Sequence, residues 1–160
     1  MPLHFTPGLK LIAGPPSRAA ARLERLAAGL ALRGPVRMLV CGNRFDPYEL
    51  AYIIAHRSGD YHEILDERIT LARAETAHQW LSLLQHTPAD GVPALVGDLL
   101  APLHDEDLPV READDLLFQG LRELRRVWAA CPVVASAAPG PARSGLFAVL
   151  RRECATVRIC

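Results

Sequence analysis

Short apolar runs alternate along the chain with longer stretches whose apolar residues recur at helical spacing, the pattern of an α/β protein with a parallel sheet. Leu9 to Ala13 reads as a first strand, ended by Gly14-Pro15-Pro16. A helix is predicted from Ser17, whose hydroxyl suits an N-cap, to about Arg33. Its apolar face is drawn by Ala19, Leu23, Leu26, Ala27 and Leu30, with Arg22, Arg25 and Arg33 mostly outside it, and Gly34-Pro35 supplies the stop. Val36 to Val40 predicts a second strand, and Asp46-Pro47 caps and opens a short helix to about His56. After the polar turn Ser58-Gly59-Asp60 comes a helical stretch near Glu63 to Glu67. A third strand at Ile69 to Ala72 precedes a helix from about Thr76 to His86. Leu95 to Leu100 is apolar apart from Gly97 and Asp98, as a buried central strand requires. A long amphipathic helix from Arg111 to Ala130, a strand at Pro132 to Ser136, a helix at Leu146 to Glu153 and a strand at Thr156 to Ile159 complete the series. Pro139-Gly140-Pro141 reads as an exposed loop. No internal repeat or low-complexity linker breaks the order, so residues 1–160 are expected to form one domain.

Composition agrees with a packed domain: 50% of the 160 residues are hydrophobic, and a chain of this length buries about 70% of its unfolded surface. Basic and acidic residues balance at 18 each, which gives no overall electrostatic footprint for a sequence-independent nucleic-acid binder. Lys10 is the only lysine and the remaining cations are arginine. Cys41, Cys131, Cys154 and Cys160 form no CxxC pair, and Cys41 and Cys131 lie in or beside strand-like runs, as small buried hydrophobes would. The six histidines are dispersed without zinc-site spacing. Prolines and Lys10 interrupt any signal-peptide core, and the longest apolar stretch, Val92 to Leu103, carries Asp98 and is too short to span a bilayer. The expectation is a soluble, cytoplasmic protein with no membrane partner.

A strand, a glycine turn and a helix are the setting of the phosphate-binding loop G-x-x-x-x-G-K-[ST]. There, glycines let backbone N–H groups approach phosphate, the lysine sits across the terminal phosphates, and the hydroxyl holds Mg²⁺. Aligned on Gly14, this chain reads Gly14-Pro15-Pro16-Ser17-Arg18-Ala19-Ala20-Ala21. Three alanines stand where the pattern places a glycine, a lysine and a hydroxyl. Losing the lysine alone removes about 1.5–3 kcal/mol of charged hydrogen bonding, and the Ala19 Cβ blocks a close backbone approach. Ser17 could hold an anion but suits a cap; Arg18 and Arg22 could replace the lysine or simply face solvent. The second half of the pattern is an aspartate-ended apolar strand, Ala94-Leu95-Val96-Gly97-Asp98, at a spacing usual for a Walker B strand, whose carboxylate supports the Mg²⁺ shell. Without a hydroxyl at position 21, the favoured reading of Asp98 is a relic that accepts nearby backbone N–H groups.

The segment Ala72-Arg73-Ala74-Glu75-Thr76-Ala77-His78-Gln79 resembles the A-R-A-F-N-x-x-H-Q motif of RadA-like members of the RecA/RadA recombinase family. Ala72, Arg73, Ala74, His78 and Gln79 match in identity; Glu75 and Thr76 depart, and the gap before His78 is one residue shorter. The order of elements from about Leu9 to Ser136 is similar as well. The resemblance implies a three-layer RecA-like P-loop NTPase fold with a mostly parallel sheet. Family members carry an intact P-loop, a polar sensor residue after the strand that corresponds to Val133-Val134, and DNA-binding loops that look shortened here. The expectation is a degenerate P-loop protein that does not hydrolyse ATP and needs no cofactor. It would act as an accessory or regulatory binding module beside a RecA-like partner or as a homo-oligomer, in DNA repair or recombination. The alternative is a nucleotide switch that binds ATP and Mg²⁺ through Arg18 or Arg22.

Glu75 lies near a catalytic carboxylate of some RecA-like enzymes but equally suits a helix N-terminus. His104-Asp105-Glu106-Asp107 reads as a solvated loop in which Asp107 caps the turn. Gly42-Asn43-Arg44-Phe45-Asp46-Pro47-Tyr48 follows a strand at the edge where open α/β sheets bind ligands, with Arg44 and Asp46 free to touch a partner or Phe45 and Tyr48 pinning the loop by packing.

Overall fold

A computed structural model describes residues 7–140 and 143–160. Pro141, in the predicted exposed loop, lies outside the described residues. The strands are β1 (Leu9–Ala13), β2 (Val36–Val40), β3 (Ile69–Arg73), β4 (Ala94–Gly97), β5 (Val133–Ala137) and β6 (Cys154–Ile159). The helices are α1 (Pro16–Ala31), α2 (Pro47–Ala55), α3 (Tyr61–Glu63), α4 (Ala77–Gln85), α5 (Val110–Trp128) and α6 (Ser144–Glu153). A π-helical turn at Ile64–Arg68 follows α3, and a 3₁₀ turn at Ala101–His104 follows β4.

The six strands form one sheet in the order β3-β2-β4-β5-β1-β6, and every pair is parallel. Central strands β2, β4, β5 and β1 are mostly apolar and buried, as strands covered on both faces must be, with Lys10 and Arg37 near the amino-terminal ends of β1 and β2 the charged exceptions. The edge strands β3 and β6 are half-open, with Leu71 and Ile159 facing solvent. Helices α1 and α2 cover one face in a core built on Leu23, Ala27, Met38, Leu50 and Ile54. Helices α4, α5 and α6 cover the other with Trp80, Leu84, Leu117, Leu121 and Leu150. Connections that step towards β3 use the first face and those that step towards β6 use the second, as a single crossover handedness requires. The fold is therefore α/β with helices on both sides of a wholly parallel sheet.

Several local expectations change. The N-cap of α1 is Pro15, with no side-chain cap bond, and Ser17 is already inside the helix, because Pro16 fits the first turn without an N–H to satisfy. On α1 Leu26 is 38% exposed whereas Glu24 is only 4% exposed, so the buried stripe runs one step round from the apolar face drawn from sequence. β4 ends at Gly97 rather than continuing to Leu100: Asp98 adopts a left-handed backbone (φ 51°), and Leu99 and Leu100 are buried in the turn beyond it. Asp105, not Asp107, caps the turn before α5, its Oδ1 accepting the Asp107 N–H at 3.0 Å.

No helix among the described residues is long and apolar enough to cross a membrane. Cys41 and Cys131 are buried and all four thiols are free, with the Cys41 thiol pushed up to about 12 by burial and then by the nearby Asp98 carboxylate.

Candidate functional site

The carboxyl ends of β1, β2, β4 and β5 meet along one rim. Successive connections leave that rim in opposite directions between β2 and β4 and between β5 and β1, the places where open α/β sheets hold ligands. A cleft of about 330 Å³ spans these points, lined by Pro16, Gly42, Asn43, Arg44, Asp98, His104 and the Ala137–Gly140 loop. A second cleft of about 290 Å³ lies beyond Gly42 and Asn43, against Arg73, Ala74 and Glu75.

Asp98 is the centre of the first cleft. Its backbone N–H donates to Ser136 Oγ at 2.9 Å, which fixes the turn, and a Cβ on Gly42 would lie 2.7 Å from the Asp98 Cβ. Glycine at 42 thus makes room for this carboxyl. The relic reading changes here: among the described residues no N–H donates to the Asp98 carboxylate. Burial raises its pKa above the ordinary carboxylate value, and Arg44 opposes that rise. Beneath it a narrow crevice leads past Ser136 to Glu24, whose Oε1 accepts the Asp46 N–H at 3.0 Å. Burial raises Glu24 as well, against that hydrogen bond, with Asp46 and Glu49 adding to the rise. Across the cleft His104 sits under Gly140, where an added Cβ would stand 2.5 Å from the imidazole ring. Its Nε2 is buried without a partner, and burial, with Arg143 adding to it, holds the ring below the usual histidine value despite the Ala138 carbonyl. Arg143 in turn donates to the Leu103 carbonyl at 2.8 Å and to the Leu108 carbonyl, fixing the 3₁₀ turn that carries His104.

The residues aligned with a phosphate-binding loop lie differently. Between β1 and α1 only Gly14 and Pro15 intervene, so Ser17, Arg18, Ala19, Ala20, Ala21 and Arg22 all belong to α1. Gly14 has φ 152°, and a Cβ there would meet Cys160 Sγ at 2.6 Å and the Cys160 carbonyl at 2.8 Å. The glycine accommodates the end of β6, whose Cys160 N–H bonds the Ala13 carbonyl at 2.9 Å. Ala19 is buried in the core, while Arg18 and Arg22 are exposed and line neither cleft.

The motif residues of the third crossover have local roles. Thr76 and Gln79 form a capping box for α4: Thr76 Oγ1 accepts the Gln79 N–H at 3.2 Å, and Gln79 Oε1 accepts the Thr76 N–H at 3.3 Å and the Glu75 N–H at 2.9 Å. His78 Nε2 lies 2.9 Å from Glu112 on α5, both exposed. Arg73 stacks over Phe45, 5.8 Å from the ring centre. Phe45 therefore pins the loop after β2, and Asp46 caps α2 by accepting the Tyr48 and Glu49 N–H groups, while Tyr48 itself is 84% exposed. The loop at Gly42 lies at the ligand edge as expected, whereas His104, expected in a solvated loop, faces inward; Glu24 and Ser136 carried no functional expectation, a carboxylate on the flank of an apolar helical stripe being the one signal available for Glu24.

The fold and rim together define an α/β protein with a mostly apolar cleft at its sheet switch points, into which Asn43, Arg44, Asp98 and His104 bring polar groups. No protein-family model matches the chain, and no curated protein matches it significantly.

Proposed function

We propose that this chain is a RecA-like domain of the P-loop NTPase type that has lost its phosphate loop and works by binding, as a cytoplasmic accessory or regulatory subunit of an intact RecA-like ATPase in DNA repair or recombination. One observation carries the reading. α1 begins two residues after β1, and Cys160 covers Gly14, so no loop remains there to wrap a triphosphate. The retained frame supports the kinship: β1, which leads into Gly14, and β4, which leads into Asp98, share one rim with β5 between them, and the motif-like segment starts at Arg73, the last residue of the edge strand β3, and runs on to His78 and Gln79.

Calorimetry with ATP and Mg²⁺ tests it, with no saturable heat expected; steady-state ATPase with and without single-stranded DNA should show no turnover above background. Hydrolysis abolished by Asp98→Ala would overturn the reading. A switch that uses Arg18 or Arg22 predicts instead nucleotide binding lost in Arg22→Ala, although neither guanidinium reaches the cleft walls.

A further inference from the structure

We propose that the outer face of α1 docks on the acidic amino-terminal end of α5 of a second copy of this chain, in a head-to-tail contact. The formal net charge of zero conceals two local patches of opposite sign. Arg18, Arg22 and Arg25 stand at i, i+4 and i+7, which places them on one stripe of α1, and all are exposed. The one acid of α1, Glu24, is buried. Among the described residues none of these three guanidiniums forms an ion pair or a side-chain hydrogen bond. Like charges so spaced repel, so an acidic counterpart relieves them.

That counterpart exists on the opposite side of the sheet. Asp105, Glu106, Asp107, Asp114 and Asp115 are exposed and enter no ion pair among the described residues; Arg111 is the one cation between positions 105 and 115. Each patch also presents an apolar side chain: Leu26, 38% exposed, beside Arg22 and Arg25, and Phe118, 62% exposed, one turn beyond Asp114. An apolar centre with a charged rim is the anatomy of a protein interface, and guanidinium forks match carboxylates in geometry. A nucleic acid would occupy the arginine row but would leave the acidic patch and Phe118 without a role. Because α1 and α5 lie on opposite faces of the sheet, the contact is heterologous and leaves one free patch at each end.

Sedimentation velocity of the full chain tests this. Charges across the interface act over about 30 Å at 0.01 M salt and about 3 Å at 1 M. The expected result is a mass of at least two copies at low salt that halves or more at high salt. Arg22→Gln/Arg25→Gln and Asp114→Asn/Asp115→Asn change only exposed positions, and circular dichroism checks their folding. Each variant alone should be monomeric, and the two mixed should form a one-to-one dimer, since each retains the patch the other lacks. A wild-type monomer at low salt, association that survives in either variant alone, or a mixture that stays monomeric overturns the proposal. So does a monomer whose α1 row captures a single-stranded oligonucleotide.

Discussion

At the half-buried Asp98 and the buried Glu24 the desolvation of a carboxyl is incompletely offset. A carboxyl raised in the fold above its unfolded value costs stability when ionised, and that cost vanishes as pH falls through the folded value and below the unfolded one. Asp98→Asn and Glu24→Gln should therefore raise the melting temperature at neutral pH, and the gain should close in acid, below the ordinary carboxylate range. Glutamine at 24 keeps an oxygen for the Asp46 N–H, and asparagine tolerates the left-handed backbone of position 98, so neither swap adds a new loss. Scanning calorimetry of each variant across pH reads the result. Gly42→Ala should do the opposite, costing about 1–3 kcal/mol by driving a methyl group into the Asp98 side chain; chemical denaturation measures it. Asp98 itself was legible as a strand-ending carboxylate. Its nearness to Gly42 and Ser136, and the cleft it shares with His104, were not, because these come from other segments and spacing carries no distance between segments. Glu24 was hidden for a different reason: hydropathy alone favours Leu26, while the donor that makes a buried acid tolerable, the Asp46 N–H, comes from another helix.

At the scale of elements, all six strands were legible and the first three lay within a residue of their bounds, since β-branched and leucine-rich runs bounded by Gly and Pro leave little freedom, whereas β4 stops three residues early, before Asp98, and β6 starts two residues early. Helix ends were less so. Ser17 reads as a cap by type, yet Pro15-Pro16 starts α1 earlier; at α4 the capping residue Thr76 does what its type suggests. Thr76→Ala should cost about 1 kcal/mol, a fall of about 2–4 °C in melting temperature for a chain of this size, and Thr76→Ser should restore most of it. The helical stretch expected near Glu63 to Glu67 is present, but its π-helical register at Ile64–Arg68 had no readable signature. It places Arg68 so that its guanidinium donates to the Ala31 and Leu32 carbonyls at 3.0 and 3.1 Å, closing the end of α1 from a distance. The same limit applies to the phosphate-loop alignment: a string of residue types fixes which atoms are present, but not whether the backbone that carries them is a loop or a helix.

For the whole molecule, the helical layer on one face of the sheet locks through large-to-small contacts such as Trp80 against Gly120, where α4 meets α5. Trp80 is fully buried, so Gly120→Ala must displace its ring; a loss of about 1–3 kcal/mol and a changed tryptophan emission are expected. The sheet order has a consequence of its own. β1 pairs Leu9 with Val133 on one side and with Cys154 on the other, so both of its neighbours come from the far end of the chain. A shortened chain stopped after Trp128 should unfold without a cooperative transition by circular dichroism, its first strand having neither neighbour. During synthesis β1 leaves the ribosome well before the two strands it pairs with, holding Leu9, Leu11 and Ile12 open to water until β5 and β6 emerge. In the cell, this would make the nascent protein dependent on chaperones until its final strand is made.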